Sequence, residues 1–387
     1  MSPFKLLQDL ENNHQKLYIQ FGGQGGAWFK ELHKYYDNPD FKPFFNAAIA
    51  GIEKTLEMVG DTPALPEGLA IRQWLENPDS IPSDAYLAIA PVSMPMIMVT
   101  QMAHVENVHL QGLSRESLIQ HAAGATGHSQ GLIMASFFAL NKSGEEYYDA
   151  LTKYVQYLFL MGIRAQEVYP YPFPDEKEVE RSVANGVKDP APMVAVLGES
   201  HEFIEDLVEK ANPDLPDSEK IYVSLYNTPS NRILSSYRES LIRFHEKNKS
   251  VFEEKGMKYV YLRTSCPFHC VLMEPIKEKF AKDIEAIGFD YKGSDLQIPV
   301  ISFADGRNLQ NDSEIGMAMC HDLMVATLYW DKAMSFVSSN AEVPIILDFG
   351  PGKTSQRLSA DTLKGLGSEK QIFAAAVAKD LKAILAG

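Results

Sequence analysis

The chain is short of cysteine, of positive charge and of long uncharged runs, and each shortage removes a class of protein. Only three cysteines, Cys266, Cys270 and Cys320, occur in 387 residues. A set that is sparse and odd excludes a disulfide scaffold and fits free thiols in a reducing compartment. Lys and Arg number 36 against 51 Asp and Glu, a formal net charge of -15. Nucleic acid and anionic membrane both call for a basic footprint, so neither is expected as a partner. The start, MSPFKLLQDLENNHQK, is charged and lacks the apolar region of a signal peptide, so a cytoplasmic location is expected. One uncharged stretch, residues 85–103, is long enough to span a bilayer. Pro91 and Pro95 interrupt it, and Ser93, Thr100 and Gln101 are polar. It reads as a buried helix of a large core. Internal repeats and low-complexity segments are absent from the sequence.

What is present points to a large α/β protein. The length allows a big core plus a smaller one. LYIQFGG (17–23) is a short apolar strand entering a glycine turn. Helices are expected over 40–60, 85–110 and 144–168. Between 192 and 264 the pattern is strand, capped helix, two strands across a Thr-Pro-Ser turn, helix, strand. That βαββαβ order is ferredoxin-like. Further on come a helix near 272–287, a strand at LQIPVIS, one helix over about 314–338 and a strand at VPIILDFG. Strands alternating with helices on both sides imply an α/β sheet. The expected organisation is a large catalytic domain, 1–190 with 265–387, interrupted by a ferredoxin-like subdomain at 191–264.

Gly127-His128-Ser129-Gln130-Gly131 fits G-x-S-x-G, the nucleophile elbow. Small residues two before and two after the serine let the chain turn sharply from strand to helix. The helix N-terminus then sets N–H groups beside a reacting carbonyl. A serine needs a base. Of ten histidines, His269 in Cys-Pro-Phe-His-Cys (266–270) is the best placed, because Pro267 fixes a turn directly after a strand. A satisfied loop histidine reads equally well at this stage. The same C-x-x-H-C run invites zinc, but only Cys320 and His321 could complete four ligands, so no metal is expected. Phe21–Trp28 mimics a dinucleotide loop without its third glycine, and 348–354 mimics a Walker loop with Leu347 where its first glycine belongs. Neither is read as a nucleotide site.

These segments in this order resemble the acyl-CoA:acyl-carrier-protein transacylase family, above all the acetyltransferase domain of the fungal fatty-acid synthase β-subunit. The matching pieces are FGGQGG (21–26), GATGHSQGL (124–132), FLMGIRAQEVYP (159–170), YNTPSNRILSS (226–236), CPFHC (266–270), IPVISFADG (298–306) and ILDFGPG (346–352). The resemblance implies a hydrolase-like parallel-sheet domain with an inserted small subdomain. It implies Ser129 as nucleophile and His269 as general base and then acid. It implies an orienting main-chain carbonyl near Ser302 or Phe303, and an oxyanion hole from the N–H groups of Gln24 and Gln130. His128 would support the elbow, and Asn227 matches a turn asparagine near the site. Malonyl-using members carry an arginine where Met161 stands, and a methionine leaves a free carboxylate unpaired. Arg164 matches an arginine also found in acetyl-type domains. The implied reaction transfers an uncharged acyl group, acetyl first and a longer chain second, from acyl-CoA to an acyl carrier protein. No bound cofactor is implied, and the chain could serve alone or within a larger synthase. A thioesterase or a malonyl transferase on the same scaffold is the alternative.

Overall fold

A computed structural model describes residues 4–387. Ten strands form two sheets. They are β1 (Leu17–Phe21), β2 (Ala122–Gly127), β3 (Met193–Leu197), β4 (Tyr222–Thr228), β5 (Asn231–Ser235), β6 (Lys258–Tyr261), β7 (Val300–Ile301), β8 (Leu328–Tyr329), β9 (Ile345–Asp348) and β10 (Gln371–Ala374). The first sheet has the order β10-β9-β1-β2-β7, and its pairings are all parallel. Its central strand, LYIQF, is buried at every position, as a parallel strand covered on both faces should be. β2 is built from small residues because its neighbours come close. A Cβ on Gly124 would lie 2.9 Å from the Pro299 carbonyl oxygen.

The uncharged stretch forms most of a helix, Ala90–Leu110, buried along almost its whole length. It packs against the long helix Gly144–Val168, and Gly162 is what lets them meet: a Cβ there would lie 2.6 Å from the Ala90 carbonyl oxygen. Among the described residues no helix is long and apolar enough to cross a membrane.

The second sheet has the order β6-β3-β5-β4-β8. β3, β4, β5 and β6, with the helices His201–Ala211 and Arg238–Glu254, make the ferredoxin-like βαββαβ unit. Its strands alternate. Val194, Val196 and Leu234 pack under its own two helices, while Met193, Ala195, Leu225 and Ile233 join the core of the larger part.

Two elements depart from the sequence reading. The strand expected at LQIPVIS shrinks to Val300–Ile301. The single helix expected over 314–338 is two, Ile315–Met324 and Trp330–Ser338, with β8 between them. The first helix ends where the N–H groups of Val325 and Ala326 both donate to the His321 carbonyl. β8 then pairs parallel with β4, so residues from beyond the insert complete its sheet. The break has a chemical consequence, because an unbroken helix would have tied up the Ala326 carbonyl.

Candidate active site

β2 ends at Gly127 and the elbow helix (Gly131–Ala139) starts four residues later. Ser129, between them, has φ 55°, the left-handed region that a serine enters only at a cost of about 1–3 kcal/mol. The flanking glycines are obligatory. A Cβ on Gly127 would sit 1.8 Å from the Gly131 carbonyl carbon, and one on Gly131 would sit 2.3 Å from the Phe21 carbonyl oxygen. The His128 N–H donates to that same Phe21 oxygen at 2.9 Å, so the elbow is fastened to the end of β1.

His269 lies 140 residues downstream on a loop held from several sides. Ser235 of β5 donates to the Phe268 carbonyl at 2.8 Å, and the Cys270 N–H donates to the Met324 carbonyl at 3.2 Å. Ser265 takes the Ala90 N–H and donates to Gln166 Oε1 at 2.6 Å. His269 also has positive φ, 60°. The loop aims its ring so that Nε2 is 2.7 Å from Ser129 Oγ. Nδ1 donates to the Ala326 carbonyl at 3.0 Å. That bond fixes the tautomer and leaves Nε2 free to accept the serine proton. The orienting carbonyl is therefore Ala326, freed by the helix break, and not Ser302 or Phe303. The Ser302 hydroxyl instead donates to Asp322, and Phe303 packs its ring edge-on against His269. Burial pushes the His269 pKa down to about 3, opposed by the bond to Ala326, so the imidazole is neutral at neutral pH.

His128 is also buried and neutral, its pKa pushed down to about 4 chiefly by burial. Its Nε2–H donates to Asn227 Oδ1 at 2.7 Å, and its ring meets Trp330 edge-on at 5.1 Å. The Asn227 carbonyl takes the Thr362 hydroxyl at 2.6 Å. Asn227 thus bridges the small sheet to the elbow. Asn227→Ala is expected to lower stability by about 1–3 kcal/mol, the cost of a buried donor without a partner. Urea unfolding checks this, and a change within experimental error would remove Asn227 from that bridging role.

Gln130 follows Ser129 in the chain, and Gln24 lines the same cavity. Among the described residues, the main-chain N–H of neither donates to a backbone carbonyl. Their side chains are engaged elsewhere, Gln24 Nε2 with Ser93 Oγ at 2.8 Å and Gln130 Nε2 with the Met94 carbonyl at 3.3 Å. The Gln24 loop is pinned from below. The Gly22 N–H donates to the Gly350 carbonyl at 2.9 Å, and Gln101 Nε2 donates to the Gly22 carbonyl at 2.9 Å.

Two expected substrate-side residues lie elsewhere. Arg164 spends its guanidinium on Asp283, at 2.7 and 2.9 Å, and on Glu167 at 2.8 Å. A fork already filled by carboxylates has no bidentate face left for a ligand. Met161 is fully buried and is not part of the cavity wall. Residues that the sequence reading passed over matter more. A buried chain runs from Trp330 to Ser359, to Gln20, to Asp348, with bonds of 3.2, 2.6 and 2.7 Å, and Asp348 takes the Gly350 N–H at 2.7 Å. It ties the ring beneath His128 to the loop beneath Gln24. The sequence signal was there: Gln20 and Asp348 are polar residues in otherwise apolar strands, and buried polar groups need partners.

A cavity of about 290 Å³ opens between the two sheets. Ser129, His269, His128, Asn227 and Gln24 line it. Ser129 keeps 9% of its surface exposed against 1% for His269, so the hydroxyl faces the cavity while the ring is shielded. Among the described residues no group of three or more His, Cys, Asp or Glu could hold a metal ion.

Hydrolases with the same elbow complete the arrangement with a carboxylate behind the histidine. Here a main-chain carbonyl takes that place and a second sheet closes over the serine. The chain belongs to the family described as the starter unit:ACP transacylase in aflatoxin biosynthesis, whose model matches residues 19–269. It is 31% identical over 368 residues to fatty acid synthase subunit beta of Saccharomyces cerevisiae, covering 89% of this chain and 18% of that protein. It is 27% identical over 369 residues to fatty acid synthase beta subunit aflB of Emericella nidulans, covering 90% of this chain and 17% of that one. The chain thus spans less than a fifth of either relative. In fold it is similar to malonyl CoA-acyl carrier protein transacylase from Clostridium perfringens, with a TM-score of 0.65, 20% identity and 95% of each chain covered.

Proposed function

We propose that this chain moves an uncharged acyl group from coenzyme A to the phosphopantetheine thiol of an acyl carrier protein, through an ester on Ser129. The observation that carries this reading is the 2.7 Å contact between Ser129 Oγ and a neutral, carbonyl-oriented His269 at the wall of a cavity. His269 Nε2 takes the hydroxyl proton as Oγ bonds to the thioester carbon. The developing oxyanion faces the N–H groups of Gln24 and Gln130. The C–S bond then breaks and the departing thiolate receives the proton from His269. A carrier thiol next gives its proton to His269, attacks the ester and restores Ser129. Each step balances without a metal or a redox group. The fungal synthase subunits among its relatives support a place within a larger synthase, with the carrier protein as partner.

The acyl group is assigned as uncharged because the one Lys or Arg side chain on the cavity wall, Arg263, is exposed, while Met161 and Arg164, where the resemblance would seek a carboxylate partner, lie off that wall and Arg164 is consumed by Asp283 and Glu167. Acetyl-CoA is expected to add 42 mass units to Ser129, at least about fivefold faster than malonyl-CoA adds its group, because an unpaired carboxylate in the site costs about 1–3 kcal/mol. Intact mass spectrometry after rapid mixing measures both. Faster malonyl loading would overturn the assignment, and loss of the adduct to water before a carrier thiol takes it would favour the thioesterase.

A further inference from the structure

Among the described residues on the wall of the Ser129 cavity, one side chain carries a full charge at neutral pH, and it is Arg263. No Asp, Glu or Lys lies on that wall, and burial keeps its two histidines neutral. Arg263 also lines a neighbouring cavity of about 260 Å³, so it stands where the two adjoin.

The backbone is fixed on both sides of Arg263. The Leu262 N–H donates to the Met193 carbonyl of β3 at 2.9 Å. The Thr264 N–H turns back to the Leu262 carbonyl at 2.9 Å, a three-residue turn with Arg263 at its apex. Ser265, two residues on, is held by the Ala90 N–H and by Gln166. The side chain leaves this turn exposed, at the outer part of the cavity. Among the described residues its one hydrogen bond runs from Nη2 to the Asp84 carbonyl at 3.3 Å, and no carboxylate pairs with it. Arg164, Arg238 and Arg307, by contrast, each grip a carboxylate. In a chain with 51 acidic residues against 36 Lys and Arg, a guanidinium left without a carboxylate at a cavity mouth is open to an anionic ligand.

Both substrates of the proposed reaction bring an anion to such a mouth. Coenzyme A and the prosthetic group of a carrier protein share the pantetheine arm, and in each a phosphate is bonded to the end of the arm remote from sulfur. A guanidinium fork meets two phosphate oxygens at once. We propose that Arg263 binds this phosphate, the same group in the acyl-CoA donor and in the carrier that accepts the acyl group. This rests on the acyl-Ser129 reading and gives its two substrates a common anchor. The contact lies away from the reacting carbon, so it holds ground state and transition state alike and acts on KM rather than on kcat. The exposure that keeps Arg263 from pairing with a carboxylate beside Ser129 suits it to a group that stays at the mouth.

The test compares acetyl-CoA, acetyl-phosphopantetheine and acetyl-pantetheine, which share the acyl group and the arm while the last lacks the phosphate. For the wild type at low salt, KM for loading Ser129 is expected to be about fivefold lower with either phosphorylated donor than with acetyl-pantetheine. Added salt narrows that gap. In Arg263→Gln the ratio is expected to fall to within about 1.5-fold of unity, and in Arg263→Glu, which sets a carboxylate against the phosphate, the order reverses. Arg263 is exposed, so both variants are expected to keep the wild-type thermal midpoint. On the acceptor side, Arg263→Gln is expected to raise KM for the holo carrier protein about fivefold relative to KM for free pantetheine. A phosphate preference that survives both variants overturns the proposal. So does a preference confined to acetyl-CoA, which would put the contact on its nucleotide, and so does a carrier KM that Arg263→Gln leaves in place. If Ser129 takes up no acetyl group from any donor, the acyl-transfer reading fails. Calorimetric binding of phosphopantetheine against pantetheine, to the wild type and to Arg263→Gln, then still decides the phosphate contact.

Discussion

His269→Ala is expected to slow acyl loading of Ser129 by about 10³- to 10⁴-fold while leaving the fold in place. The loss has one source. Without Nε2 at 2.7 Å the hydroxyl keeps its proton, and a serine at its ordinary pKa is a poor nucleophile. Stopped-flow loading with mass detection measures it, and a loss under tenfold would remove His269 from the reaction. The pH profile is a second signature. Protonation disables a general base, and an unperturbed histidine would lose half its activity near pH 6.5. Burial favours the neutral form and holds His269 down at about 3, so the acid limb moves to lower pH. Loading by the wild type is therefore expected to stay level from pH 8 to about pH 5, where an exposed histidine would already have dropped more than tenfold. A limb centred near 6.5 would place a water-exposed base in the site instead.

The Ser129–His269 pairing was legible in the sequence because its signals are local. The five residues 127–131 state their own geometry, and Cys-Pro-Phe-His-Cys marks a stiff turn after a strand. The small subdomain was legible for the same reason. Period-two strands, a Ser cap at Ser200 and two helical stretches are short-range patterns. The orienting carbonyl was not legible. Ala326 acts through its main chain, 57 residues from His269, and any residue type could supply the same oxygen. What could have been read was the improbability of a helix of about 25 residues at 314–338 running across Val325 and Thr327, which are β-branched. Met161 failed in another way. Its position in the apolar stretch 157–163 of its helix could not say whether it faces the cavity or the core, and it faces the core. The Gln20–Asp348 chain was a missed opportunity, since each is a polar residue in an apolar strand. Asp348 shows the cost of that burial, its carboxyl pushed up to about 6 by loss of water.

Gly127→Ala is expected to cost more than about 4 kcal/mol and to leave little folded protein, although it adds a single methyl group. The new Cβ would fall 1.8 Å from the Gly131 carbonyl carbon, 2.0 Å from its oxygen and 2.2 Å from the Leu132 nitrogen. All three are backbone atoms, so no side-chain rotation relieves the overlap. The backbone cannot yield on either side. Gly127 is in register with Phe21 of β1, and the Leu132 N–H is bonded to the Ser129 carbonyl in the first turn of the helix. Opening the elbow would pull Ser129 out of its left-handed conformation and away from His269, so activity and stability fail together. Gly26→Ala is the control, because its Cβ would meet only the Pro351 ring, 3.2 Å away, at an exposed position. Its thermal midpoint is expected within a few degrees of the wild type, since surface changes of this kind stay near ±0.5 kcal/mol. A Gly127→Ala protein that is soluble and melts beside that control would show that the chain does not turn at Ser129 as sharply as the strand–serine–helix junction requires.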